Sequence, residues 1–105
     1  VTGVTTLAAG SGNDITLDQS HNFSTVIIST GNNVTLTDSD DIILGASTVS
    51  GTLTVNSTGT ITDSGALTIT GATTLGAGSL NNITLDNANN FSSVLISSAN
   101  NAPLD

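Results

Sequence analysis

Apolar residues in this chain recur two positions apart, in short segments separated by polar residues and glycine. This alternation is typical of β-strands that bury one face and expose the other. Val and Thr favour strands, whereas Gly and Asn favour the turns between them. No segment carries the helical period of about 3.6 residues, so the pattern predicts an all-β chain. The range 1–68 contains nine predicted strands: Thr5–Leu7, Ile15–Leu17, Val26–Ile28, Val34–Leu36, Ile42–Leu44, Thr48–Ser50, Leu53–Val55, Thr60–Thr62 and Leu67–Ile69.

The chain also repeats itself. When residue 1 is placed on residue 69, the range 1–37 aligns with the range 69–105 without gaps, and 22 of the 37 pairs are identical. The segment ITLD at 15–18, for example, recurs as ITLD at 83–86. Only duplication explains such agreement. We therefore predict a single module over residues 1–105, in which residues 1–68 are one full repeat and residues 69–105 a partial second copy. The module is either a fragment of a longer chain or one unit of a fibre.

Nine strands in the range 1–68 divide into three groups of three, which gives turns of about 23 residues. A unit this small cannot bury its own apolar face, but stacked copies can bury it against one another. This favours a parallel β-helix (a β-solenoid) of about four to five three-stranded turns, with Val34 and Leu36 facing the core. The crossover rule makes it right-handed. An ordinary β-sandwich, with longer strands joined by hairpins, is the alternative. The first predicted stacking column contains GVTTL, NNVTL, GTLTV and GATTL; the second contains NDITL, DDIIL, GTITD and NNITL; the third contains STVIIS, ASTVS, ALTIT and SSVLIS.

The charge of the chain restricts its partners. It contains eight Asp, no Lys and no Arg, and its formal net charge is −8. Without cations to displace phosphate counterions, nucleic acid is not expected to bind, and neither is an anionic membrane surface. No apolar run approaches the ~20 residues of a membrane span, so we predict no membrane insertion. Cysteine is absent, which excludes disulfide and thiolate chemistry.

The segments GxxTL, ITLD, GNNVTLTDSDDIILGASTVSGTLTV and GTITDSGALTITG resemble the repeat regions of filamentous-haemagglutinin-type exoproteins. These are very large bacterial adhesins exported by two-partner secretion, and the resemblance covers essentially the whole chain. It implies a right-handed β-helical shaft that projects a binding region from the cell surface or builds extracellular fibres. The resemblance thus implies a secreted structural or adhesive module at the bacterial surface, with a host or cell-surface glycan or protein as receptor.

One acidic segment, TDSDD, places three carboxylates close together in the chain, on Asp38, Asp40 and Asp41. Oxygens grouped at a corner are suitable ligands for Ca²⁺; a solvated turn is the alternative interpretation. Some β-helical enzymes cleave polysaccharides with clustered Asp, but those acting on acidic sugars need Arg or Lys to hold the substrate. His21 corresponds to Asn89 in the repeat, an exchange that a catalytic base or metal ligand would not tolerate. We therefore predict no enzymatic activity and no cofactor, with Ca²⁺ as the candidate ion.

Outward-facing threonines form a second candidate surface. One file of them is predicted on the first face, and the TLT segments at 35–37 and 52–54 give two outward threonines per strand. Flat Thr-x-Thr arrays bind ice on some β-helices, so an ice-binding or Ca²⁺-binding module is the alternative to a structural role. The candidate binding residues are Thr35, Thr37, Thr52 and Thr54, and the predicted outward file is Thr6, Thr35, Thr54 and Thr74.

The corners and ends of the predicted helix suggest how it is held and extended. Stacked asparagines at corners form amide ladders between turns; here these are Asn32, Asn33, Asn81, Asn82, Asn100 and Asn101. An open β-helix also has two bare strand edges, each a template for another strand. The predicted partners are therefore covalent neighbouring repeats, or further copies that associate end to end into a fibre.

Overall fold

The computed structural model describes residues 2–103, which form eleven β-strands and no helix. Each of the nine strands predicted for the range 1–68 overlaps an observed strand. The pairings predicted for Val1, Leu104 and Asp105 lie outside the described residues. The strands are β1 (Val4–Ala8), β2 (Ile15–His21), β3 (Thr25–Thr30), β4 (Val34–Asp38), β5 (Ile42–Leu44), β6 (Ser47–Val49), β7 (Leu53–Ser57), β8 (Ile61–Asp63), β9 (Leu67–Gly76), β10 (Ile83–Thr84) and β11 (Asn90–Ser98).

Every strand pairs in parallel with a strand of an adjacent turn, and the pairs build two main sheets. Sheet A has the order β1-β3-β5-β8-β10, and sheet B has the order β2-β4-β7-β9-β11. A short third face forms where β6 pairs with Leu67–Ile69, the first part of β9. The chain is thus a parallel β-solenoid of about five turns, as the sequence pattern predicted, and the β-sandwich alternative is wrong.

The turns are shorter than predicted. Along sheet B, Ile15, Val34, Leu53, Thr73 and Val94 stack on one another. Each turn therefore takes up about 20 residues, at the short end of the range for stacked repeat units. The expected length of about 23 residues assumed that the internal repeat holds a whole number of turns. That assumption fails because the repeat does not end on the sheet where it began.

The repeat spans three and a half turns. Ile15 lies in sheet B beneath Val34, Leu53 and Thr73, whereas its equivalent Ile83 lies in sheet A beside Ile61. Equivalent residues of the two copies therefore occupy opposite main sheets. In the first copy, β1 pairs with β3 in sheet A. In the second copy, the equivalent pair is β9 with β11, and it lies in sheet B.

The two copies nevertheless make the same hydrogen bonds. The N–H of Ile15 donates to the C=O of Asn33 at 2.9 Å. The equivalent N–H of Ile83 donates to the C=O of Asn101 at 2.8 Å. This bond between turns is therefore preserved when the repeat is rotated by half a turn.

The corner loop after the first strand of each copy is reproduced in the same way. Gly10 and Gly78 have φ angles of +92° and +85°, a left-handed conformation that glycine adopts without strain. The side-chain amide of Asn13 donates to the C=O of Ala9 at 2.8 Å, which closes the loop. Asn81 repeats this bond to the C=O of Ala77 at 2.9 Å. These loops carry the sequences AAGSGN and GAGSLN.

Because of this half-turn, the predicted stacking columns are partly wrong. The segment GVTTL was expected to stack with NNVTL, but Val4–Leu7 lies in sheet A beneath Thr25–Ile28. The segment NDITL takes its place, because Ile15–Leu17 lies beneath Val34–Leu36 in sheet B. SSVLIS likewise lies on Ala72–Leu75 in sheet B rather than on the third face.

Inward-facing aliphatic side chains stack into one core that runs along the solenoid axis. Val34 and Leu36 are fully buried, as predicted. The inward residues of the first and last turns are less covered, since Leu7, Ile15, Val94 and others are only half-buried against that core.

The described residues enclose no pocket, and they include no helix of the length and apolarity needed to cross a membrane.

One inward position of sheet B carries a hydroxyl that no hydrogen bond satisfies. Thr73 is fully buried between Leu53 and Val94, and its hydroxyl oxygen has no hydrogen-bond partner among the described residues. A buried hydroxyl without a partner costs about 1–3 kcal/mol. The position thus lowers the stability of an otherwise aliphatic stack.

We predict that Thr73→Val raises the free energy of unfolding by about 1–2 kcal/mol, because valine has the same shape and no hydroxyl. Urea denaturation measures the change. Thr74→Val, on the adjacent outward position, is the matched control and is expected to shift stability by less than about 0.5 kcal/mol. An unchanged or lower stability of Thr73→Val would show that the hydroxyl is satisfied in solution.

Candidate binding surfaces and the acidic corner

Asp38 lies at the end of β4 and is 1% exposed, because the alternation that buries Val34 and Leu36 also turns this residue inward. One carboxylate oxygen, Oδ2, accepts the N–H of Phe23 from the turn below at 2.9 Å. The other, Oδ1, accepts the N–H of Asp40 at 3.0 Å. The carboxylate thus joins two turns at a corner where strand pairing stops. The solvated-turn interpretation is wrong for this residue.

The other two carboxylates of the segment point elsewhere. Asp40 Oδ1 accepts the N–H of Asp41 at 2.9 Å, and Asp41 Oδ1 accepts the N–H of Thr60, in the turn above, at 2.7 Å. Both side chains are exposed. The three carboxylates therefore serve separate backbone donors, and residues 2–103 contain no group of three acidic or histidine side chains arranged to hold a metal ion. The Ca²⁺ site at Asp38, Asp40 and Asp41 gains no support from this geometry and stays a prediction.

Two buried serines hold neighbouring corners, and sequence reasoning missed both. Ser47 is 6% exposed; its hydroxyl accepts the N–H of Ile28 at 2.9 Å and donates to the C=O of Gly45 at 2.7 Å. Ser57 is 7% exposed; its hydroxyl donates to the C=O of Asp40 at 2.5 Å and accepts the N–H of Gly59. Each serine occupies an inward position of a strand. A polar residue at such a position is the sequence signal for this role.

His21 packs beside this corner, against Phe23. Its ring lies 5.3 Å from the ring of Phe23, at an interplanar angle of 38°. Phe23 is 7% exposed. The backbone C=O of His21 accepts the N–H of Ser39 from the turn above at 2.7 Å. The segment around His21 thus contributes backbone and ring contacts to the same corner that Asp38 closes.

A second polar corner surrounds Asp63, which sequence reasoning did not single out. Its Oδ1 accepts the side-chain amide of Asn87 at 2.9 Å, and its Oδ2 accepts that of Asn89 at 2.8 Å. Asn89 in turn accepts the N–H of Leu67 at 2.8 Å. This network orders the corner between β10 and β11. Its partners are 24 and 26 residues from Asp63 along the chain, so only the fold brings them together.

The outward threonines of sheet B form one file of four. Thr16, Thr35, Thr54 and Thr74 occupy successive rungs, and Leu95 follows them. The prediction that Thr6 belongs to this file is wrong. Thr6 lies in sheet A opposite Ile27, and because of the half-turn Thr16 takes its place in sheet B.

The remaining candidate threonines do not extend this file into a second one. Thr37 lies opposite Asn56, which lies opposite Gly76 on the next rung. Thr52 lies at a corner, where its hydroxyl donates to Asn33 Oδ1 at 3.1 Å. A flat surface with two threonines on every rung is therefore not formed. Ice binding stays a prediction that this arrangement does not favour.

Asparagine and aspartate side chains do connect turns at the corners, but mostly through backbone groups. Asn33 Oδ1 accepts the N–H of Thr52 at 3.0 Å. The side chain of Asn32 donates to Asp14 Oδ1 at 3.1 Å. Six asparagines are predicted to form amide ladders. Within residues 2–103, one direct amide–amide hydrogen bond joins two of them: the side chain of Asn100 donates to Asn82 Oδ1 at 3.1 Å.

The chain also matches a known family of repeats. A family model described as repeats of unknown function, DUF5649, matches residues 1–30 and 31–98. The chain belongs to the DUF5649 repeat family. The second DUF5649 match, residues 31–98, has the same length as the internal repeat. No curated protein and no solved structure matches the chain.

We predict that Asp38→Ala lowers the free energy of unfolding by about 2–4 kcal/mol, because two backbone N–H groups lose their acceptor and at least one of them is buried. Urea denaturation is the measurement. Asp18→Ala removes the same charge from an exposed side chain and is the matched control, with an expected change below about 0.5 kcal/mol. Equal losses in the two variants would mean that charge, and not the corner contact, governs the effect.

Proposed function

We propose that the chain is a rigid spacer segment of a secreted bacterial surface protein or extracellular fibre of the filamentous-haemagglutinin type. The observation that carries this proposal is the single core that runs along the axis and is least covered at its two ends. A solenoid of this kind gains length by adding turns, at about 4.8 Å each, while its cross-section stays constant. Length and stiffness are then the useful properties of the molecule.

The outer faces support a structural role in preference to a catalytic one. They present Thr, Ser, Asn and Asp side chains and no cation, and the described residues enclose no pocket. Each candidate carboxylate accepts at least one backbone N–H, from its own turn or from a neighbouring one. We propose that any receptor, a host or cell-surface glycan or protein, is bound by hydrogen bonds to these outer faces and that no cofactor is needed.

Net charge supports an extended arrangement as well. A formal charge of −8 without a single Lys or Arg keeps neighbouring shafts apart, because like charges repel at close approach. Contact at the ends buries apolar surface and completes strand pairing, which side-by-side contact does not. The proposed partners are therefore axial: adjoining repeats of a longer chain or further copies.

The proposal is tested by finding where the protein lies in cells that produce it. An antibody raised against the folded chain is expected to label intact cells of the encoding organism or fibres outside them. Protease added to intact cells is expected to remove this label. A cytoplasmic protein probed in the same cells serves as the control. Labelling that appears only after the cells are lysed would contradict the proposed surface role.

A further inference from the structure

The last described turn ends in an open edge, formed by β11 and by residues 101–103. β11 is the terminal strand of sheet B. Residues 101–103 lie on β10, as shown by the bond from the N–H of Leu85 to the C=O of Pro103 at 3.0 Å. Core residues Val94 and Ile96 of this edge are only half-buried. What covers the edge can be inferred from the first copy of the repeat.

The same edge occurs one repeat earlier in the chain, and there it is covered. Val26 and Ile28, the equivalents of Val94 and Ile96, are 0% and 1% exposed. The next turn supplies the cover: Val26 lies opposite Leu44. Burial of the same side chains in one copy and not in the other therefore reports the presence of a further turn.

Specific hydrogen bonds fix that covering turn on residues 24–28. The N–H of Gly45 donates to the C=O of Val26 at 2.8 Å, and the hydroxyl of Ser47 accepts the N–H of Ile28 at 2.9 Å. A side chain at position 45 would collide with Ile27, since a Cβ there would lie 2.5 Å from Ile27 Cγ1. The cover thus needs a glycine and, two positions later, a small hydroxyl side chain.

A second set of contacts fixes the covering turn on residues 31–34. The N–H of Gly51 donates to the C=O of Asn32 at 2.9 Å. The N–H of Thr52 donates to Asn33 Oδ1, and the N–H of Val34 donates to the C=O of Thr52 at 2.8 Å. Asn32 and Asn33 have the identical equivalents Asn100 and Asn101.

The open edge retains the groups that these hydrogen bonds require, and Leu95, an aliphatic side chain of the same size, replaces Ile27. Of the residues that receive the cover, Ser24, Val26, Ile28, Asn32 and Asn33 are identical to Ser92, Val94, Ile96, Asn100 and Asn101. Pro103 replaces Thr35, but this change does not affect the covering side. Backbone groups of successive strand residues point in opposite directions, and the N–H of Val34 points up to Thr52, so that of Thr35 points down.

We propose that the edge formed by residues 90–103 binds a further solenoid turn with the sequence pattern of residues 38–57, rotated by half a turn. In that position the strand equivalent to β5 covers β11 in sheet B, and the strand equivalent to β7 covers residues 101–103 in sheet A. The pattern supplies the required glycine and serine in the order Gly45 and Ser47. This inference deepens the proposed spacer function, on which it rests, by naming its axial partner.

A second copy of the chain is the competing occupant. It would present β1 and β2, its own lower edge, because residues 38–57 lie within its stack. The first strands of that edge read VTTLA and ITLDQSH and lack the Gly-x-Ser arrangement of residues 45–47. Two chains of formal charge −8 would also have to meet end to end.

The test joins a copy of residues 38–68 to Asp105, which completes the second repeat. Hydrogen exchange is measured for the amides of Ile96 and Ala102, because the equivalent N–H groups of Ile28 and Val34 donate to the covering turn. In the extended chain these amides are expected to exchange at least about tenfold more slowly than in the original chain, because the new turn protects them. An extension of equal length and composition, with its sequence shuffled, is the matched control and is expected to leave the exchange unchanged.

Two results would overturn the inference. One is equal protection by the ordered and shuffled extensions. The other is a dimer of the unextended chain, detected by analytical ultracentrifugation at micromolar concentration, in which the amides of Ile96 and Ala102 are already protected. Variant Gly45→Val, introduced only in the appended copy, adds a further check, since it should abolish the protection without altering the original turns. Failure of the extension would leave the surface-labelling result, and with it the proposed location, unaffected.

Discussion

The pairing of each turn with the next is the interaction on which the whole structure depends. All strand pairs are parallel and join residues about 20 positions apart, so no turn forms its own sheet. The same stacking places one inward side chain on another, as Leu36 lies opposite Leu17 and Val55. Removing a neighbour therefore removes hydrogen bonds and core contacts together. This explains why equivalent residues are fully buried in the middle turns and half-buried in the end turns.

The corners are the weak points of such a stack, because the backbone turns there and strand pairing is interrupted. In this chain short polar side chains accept the N–H groups that would otherwise lack partners. Asp38 accepts the N–H of Phe23, and Ser47 accepts that of Ile28. Asn33 accepts the N–H of Thr52 in the same way. Much of the Asp, Asn and Ser content is therefore structural. An aspartate cluster in the sequence of a β-solenoid is weak evidence for a ligand site until it is known which backbone N–H groups donate to its carboxylates.

The strands and the parallel solenoid were predictable because a period of two is visible in the sequence without any knowledge of the fold. The order of stacking was not, since Val4–Leu7 and Ile15–Leu17 carry the same inward and outward pattern and fit either sheet equally well. The burial of Asp38 was within reach: the inward alternation of Val34 and Leu36 continues to it. The network around Asp63 was out of reach, because it joins side chains from two turns at an irregular corner.

The half-turn in the repeat has a consequence for any tandem array. A repeat of three and a half turns advances by about 17 Å along the axis and moves each outward residue to the opposite main sheet. Thr16, for example, lies on sheet B, whereas its equivalent Thr84 lies on sheet A. A surface feature carried once per repeat would then appear alternately on two sides of the shaft, and on one side at intervals of about 34 Å. A repeat of whole turns would instead place all copies on one side. The half-turn thus lets one short repeated sequence present its outer face in two directions without a change in the core.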